Sequence, residues 1–328
     1  MTYQNSKREP AGFTVIELMV VVSIMALLVA ISLSAFNSAV AQSKISRTKV
    51  IIAKLDQLIM ERYEGYRTRP VPIRLPFTLY LDINRDGRPQ SNEPTSAGCR
   101  LNALRDLMRM ELPDRKSDVV DPPAYYINAG GLTTSVTAPA LYRNYQRRAR
   151  AASGAAWATT GWTEGYQGAE CLYLIVSAMR DQDKSALDFF TESEIGDIDE
   201  DGMKEFLDGW GRPIEFLRWA PGFTIESGAL TMQTSDPAVA PDPFDPLKVN
   251  PTAFALRPLI FSSGPDREPD IFTDNDPPGY HQYSLMNAAP NPYAAFSDGQ
   301  LAGTQMDRDA DTVLTYGDNI TNHYQEAE

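Results

Sequence analysis

Gly12-Phe13-Thr14-Val15-Ile16-Glu17-Leu18-Met19-Val20-Val21-Val22 opens an apolar run and places one carboxylate near its front. From Phe13 to Phe36 only Thr14, Glu17, Ser23, Ser32 and Ser34 interrupt the apolar residues. About 20 such residues span a bilayer core as a helix. A carboxylate in that setting costs about 2.5–3.5 kcal/mol at mid-depth, and less near the interface, so an intramembrane acid marks function. Glu17 therefore calls for a positive partner.

Upstream of the run stand Lys7-Arg8-Glu9-Pro10-Ala11-Gly12. Together with Phe13-Thr14-Val15-Ile16-Glu17-Leu18 they resemble the type III signal of the type IV prepilin and type II secretion pseudopilin family. The resemblance implies that a prepilin peptidase cuts after Gly12 and that the new amino-terminal Phe13 is N-methylated. It also implies that Glu17 pairs with the terminal amine of a neighbouring subunit as a filament assembles, which would supply the countercharge. A secretory signal peptide is the competing reading, since Ala39-Val40-Ala41 fits a small-residue cleavage site, but its apolar core would be shorter. A plain signal anchor accounts for the hydrophobicity and leaves glycine, phenylalanine and glutamate at this spacing without a reason. Lys7 and Arg8 on one side face Lys44, Arg47 and Lys49 beyond the other, so the resemblance, and not the charge balance, places the leader in the cytoplasm.

Beyond the membrane run Ile45, Ile52, Leu55, Ile59 and Tyr63 recur at the spacing of an amphipathic helix, and Gly65, Pro70 and Pro72 are stop signals. A helix from about residue 14 to about residue 64 would be roughly 75 Å long at 1.5 Å per residue. The expected organisation is a cytoplasmic leader (1–12), the transmembrane half of the helix (13–36), its amphipathic half (37–65) and an extracytoplasmic head with insertions (66–328). The expected fold class is α+β, pilin-like, with the long helix packed on an antiparallel sheet and an enlarged head.

The chain has 328 residues and a formal charge of −13 from 30 Lys and Arg against 43 Asp and Glu. It shows no basic stripe interleaved with aromatics, which disfavours nucleic acid as a partner. Most of the 24 prolines and 21 glycines follow residue 64, as expected of a turn-rich head with short strands. Residues 77–81, 214–219 and 259–262 read as strands, and 101–112 and 169–180 as helices. The Ala- and Gly-rich tract 138–163 reads as a mobile or inserted segment, with Arg147, Arg148 and Arg150 on a solvated face. Asp208-Gly209-Trp210-Gly211-Arg212-Pro213, with Ser262-Ser263-Gly264-Pro265-Asp266, resembles the tryptophan-glycine-proline turn and glycine-aspartate loop of major pseudopilins. On backbone grounds the first phrase is a tight turn packed under an indole.

Asp82, Asn84, Asp86 and Glu93 satisfy the calcium-loop pattern, in which alternating oxygen ligands converge and Gly87 permits the sharp turn. Asp197, Asp199 and Asp201 repeat the alternation before Gly202, with Glu205 and Asp208 as candidate closing ligands. Calcium is the expected cofactor, and the alternative for both loops is an acidic turn without metal. A third cluster, Asp307, Asp309 and Asp311 with Asp318 and Asn319, lacks the glycine. Cys99 and Cys171, both past the membrane run, form either one disulfide or two separate buried thiols. His281 and His323 belong to no nucleophile or zinc motif and read as surface or loop residues, so no enzymatic activity is expected.

The resulting expectation is a structural subunit of a type II secretion pseudopilus in the inner membrane, its head facing the periplasm or cell surface. Its partners would be the prepilin peptidase, other pilin or pseudopilin subunits and an inner-membrane assembly platform. The alternatives are a type IV pilus or minor pilin subunit, or a membrane-tethered extracellular binding module or hydrolase.

Overall fold

The computed structural model describes residues 14–71, 96–120, 125–127, 133–135, 138–181, 184–223, 233–268, 270–273, 292–293, 299–306 and 318–323. The chain divides into two compact units, residues 1–44 and 45–328. The first helix, α1 (Val15–Gly65), is 51 residues long and runs through the division. Its start and end fall where the expected stalk helix has them.

The periodic residues of the second half of α1 bury one face within the larger unit. Thr48, Ile51, Ile52, Leu55, Ile59 and Tyr63 are all buried, while Val50 between them is exposed. Polar anchors hold that face in register. Tyr63 donates to the Leu256 carbonyl at 2.9 Å, Asn322 donates to Asp56 at 2.7 Å, and the Gly209 amide donates to the Thr48 hydroxyl at 2.9 Å.

The head is α+β. A three-stranded antiparallel sheet is formed by β7 (Glu215–Leu217), β8 (Leu259–Ser262) and β9 (Ile320–Thr321), with β8 in the middle. Register pairs Phe216 with Ile260 and Leu217 with Leu259, then Ser262 with Ile320. Side chains alternate across a strand, and the two faces serve two cores. Phe216, Ile260 and Ile320 join the main core with α1 and with Leu172, Ile175 and Val176 of α5 (Gln167–Ser177). Leu217, Leu259 and Phe261 join a smaller core with Ala220, Phe223 and Ile271. All four residues of β8 are buried, as a central strand covered on both sides requires. Shorter antiparallel pairs complete the head: β1 (Tyr125–Ile127) with β2 (Thr133–Ser135), β3 (Arg180–Asp181) with β4 (Lys184–Ser185), and β5 (Ile195–Gly196) with β6 (Glu205–Phe206).

The helices α2 (Ser96–Glu111) and α3 (Lys116–Val120) meet at a buried charge network. Asp118 accepts from Arg109 at 2.7 Å and from Arg218 at 2.8 Å, and Asp114 contacts Arg218 and Arg115, each at 3.2 Å. Arg218 also donates to the Leu112 carbonyl at 2.7 Å and lies over the Trp219 ring. Burial opposes ionisation of Asp118, but Arg109, Arg218 and Arg115 outweigh it and hold the carboxyl well below the usual range.

The tract 138–163 is not an inserted mobile segment. It forms α4 (Ala140–Ser153) and a π-helical turn at Trp157–Gly161. Tyr142, Tyr145, Ala149, Trp157 and Trp162 are buried in the main core, while Arg147, Arg148 and Arg150 are exposed. Only three α4 positions face inward, and two are tyrosines whose hydroxyls find buried carbonyls, Val119 for Tyr142 and Glu111 for Tyr145. Amphipathicity carried by tyrosine and alanine among arginines is invisible to a reading keyed to aliphatic residues. The expected strand at 77–81 lies outside the described residues.

Candidate functional site

The amino-terminal end of α1 combines a helix start with an exposed apolar surface. Thr14 and Glu17 make a reciprocal cap: the Glu17 amide donates to the Thr14 hydroxyl at 3.2 Å, and Glu17 Oε2 accepts from the Thr14 amide at 2.9 Å. This is the capping-box arrangement, which satisfies amide donors that the first helical turn leaves open. The Thr14-x-x-Glu17 spacing was itself the legible signal for it. From Val15 to Val40 the apolar side chains stay out of any core in the isolated chain, Val15 and Ile16 being 74% and 73% exposed and Met25 62%. A continuous apolar surface of this kind marks a membrane or protein interface. One helix of the described chain is long and apolar enough to cross a membrane. Gly12 and Phe13 lie outside the described residues.

The second constellation sits where the loop after β5 meets the start of α5. The potential ligand atoms of Asp197, Asp199 and Asp201 lie within 4.8 Å of one another, and so do those of Glu170, Asp199 and Glu205. The loop is shaped by its own carboxylates. Asp197 accepts from the Gly202 amide at 3.0 Å, Asp201 from the Met203 amide at 2.8 Å, and Glu205 from the Ile198 amide at 3.2 Å. Thr163 donates its amide to Asp201 at 2.6 Å and its hydroxyl to Asp199, and the Trp162 indole donates to Glu170. Gly202 takes φ +93°, and a Cβ there would meet the Ala152 carbonyl oxygen at 2.5 Å.

Each of four acids keeps a second, buried oxygen without a hydrogen-bond partner: Glu170 Oε1, Asp197 Oδ1, Asp199 Oδ1 and Glu205 Oε1. Among the described residues, no lysine or arginine forms an ion pair with these four or with Asp201. Burial pushes Glu170 up to about 9, against the Trp162 hydrogen bond, and Asp201, Asp199 and Glu205 add to the rise. Burial likewise pushes Glu205 up to about 8, and its carboxylate neighbours add to it.

Asp208 is not part of this cluster. Its Oδ1 accepts from the Trp210 amide at 2.7 Å and the Arg212 amide at 2.9 Å, and its Oδ2 accepts from the Ser262 hydroxyl at 2.7 Å. It caps the tight turn expected at 208–213, with Gly211 at φ +76° and Trp210 packed against the main core. Both of its oxygens are engaged, by the turn and by Ser262 of β8, and Asp208 joins neither acidic group at 197–205. Glu205, the other candidate, does face the cluster, and Glu170 enters from a different element. The only sequence signal for Glu170 was an acid in the first turn of an otherwise apolar helix.

A third group brings Asp318 together with Asp266 and Asp270. Asp307, Asp309 and Asp311 lie outside the described residues, as do Asp82, Asn84, Asp86 and Glu93. Cys171 is a free, fully buried thiol, and the Cys99 side chain lies outside the described residues. Cys171 faces inward from α5, among core residues. His323 is fully buried, against expectation, with Nε2 3.0 Å from the Pro258 carbonyl and its ring edge-on to Phe223. His281 lies outside the described residues.

Residues 7–33 match the family model of the prokaryotic N-terminal methylation motif. No curated protein and no solved structure matches the chain. The matched segment covers Lys7 to Gly12, Phe13, Glu17 and all but the last three residues of the apolar run, and it supports a pilin-like or pseudopilin subunit in general.

Proposed function

We propose that this chain is a structural subunit of a type II secretion pseudopilus, held in the inner membrane until it is drawn into a filament. The observation that carries the reading is the methylation motif at 7–33, which includes the start of an apolar helix whose side chains are exposed from Val15 to Val40. In this account residues 1–12 are a cytoplasmic leader removed by the prepilin peptidase after Gly12. Residues 13–36 cross the membrane, 37–65 continue the helix, and 66–328 are the extracytoplasmic head. Filament packing would replace lipid around the apolar helix with helices of other subunits. The amine of Phe13 on a neighbour would supply the charge that Glu17 lacks. The work is assembly and not catalysis, with an inner-membrane platform as the further partner.

The turn at 208–213 favours the secretion system over a pilus, because it resembles the turn by which major pseudopilins enter their sheet. Here that turn leads into β7 and its Gly209 amide is anchored on Thr48 of α1. The test is the physical state of the mature protein, examined with the assembly machinery present. Recovery in a polymer fraction, with loss of protein export when the gene is deleted, is expected. Recovery only as isolated subunits would refute the filament role, and surface filaments with normal export would move the assignment to a pilus.

A further inference from the structure

The geometry points to a calcium site that joins the 197–202 loop to α5, with Glu170, Asp197, Asp199, Asp201 and Glu205 as its protein ligands. Acidic groups often cluster on protein surfaces without a metal, so proximity alone does not carry this. Burial and orphaned oxygens do. Glu170 and Glu205 are both 0% exposed, both belong to one group with Asp199, and each keeps one buried oxygen with no hydrogen-bond partner. Asp197 and Asp199 contribute one unpartnered buried oxygen each. Two carboxylate groups that share Asp199, with four buried unpartnered oxygens and no lysine or arginine paired with them among the described residues, are expensive in ionised form unless a cation sits between them.

The dimensions suit the ion. Calcium holds six to eight oxygens at 2.3–2.6 Å, so ligands on opposite sides of it stand about 5 Å apart. Within each acidic triad the ligand oxygens fall within 4.8 Å of one another, and Asp199 belongs to both triads. Counted from Asp197, the first, third and fifth loop positions are aspartates, and the sixth is Gly202 at its positive φ. Calcium loops use a glycine there for the sharp turn. The ninth position, Glu205, faces the cluster, while the twelfth, Asp208, is turned away. Glu170 from α5 takes over the closing role, which converts a local loop into a clasp between two elements. Zinc would want nitrogen or sulfur ligands, and none is present in the set. Magnesium demands near-ideal octahedral geometry and keeps several waters, which two fully buried glutamates leave little room for. The inference is independent of the filament reading.

The full-length chain in detergent, stripped with chelator, provides the test, with terbium as a luminescent stand-in for calcium. Trp162 donates to Glu170, so excitation of its indole should sensitise a bound lanthanide. The expected result is tryptophan-excited terbium emission that millimolar calcium displaces and equal magnesium does not. Glu170→Gln and Asp199→Asn should each weaken calcium binding about tenfold or more, with circular dichroism unchanged. Trp162→Phe should abolish the emission while calorimetry still detects calcium binding, and Asp208→Asn should leave affinity unchanged. Absence of emission from the unmutated protein would overturn the site. So would undiminished affinity in Glu170→Gln, emission that survives Trp162→Phe, or a loss in Asp208→Asn equal to that in Glu170→Gln.

Discussion

Arg218→Met removes the central cation of the buried network while retaining a side chain that can fill the space. In the native head the guanidinium, 2% exposed, serves Asp118, Asp114 and the Leu112 carbonyl. After the substitution Asp118 keeps Arg109 and Asp114 keeps Arg115, so neither carboxylate is stripped of every partner. The Leu112 carbonyl, however, loses the Arg218 hydrogen bond and the Trp219 ring loses its stacked cation. Breaking a buried ion pair by removing one partner costs about 3–5 kcal/mol. At about 2 °C per kcal/mol for a large domain, Tm should fall by about 6–10 °C. The pH profile adds a second signature. A carboxylate whose folded pKa is depressed contributes stability above its unfolded pKa of about 3.9 and loses it as pH falls through the folded value. Asp118 is such a group, and taking away one of its three arginines raises its folded pKa. The acid limb of stability should therefore be shallower in the variant. Thermal melts of the full-length chain in detergent from pH 3 to 7 measure both effects. A Tm within about 2 °C of the unmutated protein at neutral pH, with the same acid limb, would refute the reasoning.

Three further outcomes follow from single groups. Glu17→Leu and Glu17→Gln should both be processed normally and both polymerise poorly; because glutamine can still serve the Thr14 cap, normal filaments from Glu17→Gln would reduce Glu17 to a helix start. Gly202→Ala places a Cβ 2.5 Å from the Ala152 carbonyl at a φ of +93° and should cost about 1–3 kcal/mol or more by chemical denaturation, whereas Gly211→Ala, at a positive φ with nothing within 4 Å, should cost less. Burial lowers the His323 pKa to about 4, so the unfolded chain binds the extra proton between about 6.5 and 4 and stability should fall by up to about 3 kcal/mol on acidification across that window. His323→Gln should flatten that segment of the curve, and an unchanged slope would place the titration elsewhere.

The long helix was legible because two independent signals, a nearly continuous apolar run and then an apolar stripe, meet end to end, and because Gly65 lies at its end. The strands at β7 and β8 and the turn before them were legible for a similar local reason. The alternation at Asp197, Asp199 and Asp201 marked an acidic loop whose carboxylates do come together, but not which further acid stands beside it. Two residues at plausible spacing competed for that position. Tertiary hydrogen bonds, from the Trp210 and Arg212 amides and the Ser262 hydroxyl, decided against Asp208. Glu170 stands 27 positions before Asp197, and only the fold brings them together. The same limit applies to α4, whose buried face is made of tyrosine and alanine, and to His323, whose burial depends on β9 lying against β8.

The central claim is that this chain is made as a prepilin and matured at its amino terminus. Intact mass and amino-terminal sequencing of the protein extracted from membranes that contain a prepilin peptidase test it most directly. The account predicts a chain that begins at Phe13 and carries one added methyl group, and a Gly12→Val variant that keeps its leader. A mature protein that retains Met1, or one that begins near Gln42, would contradict it.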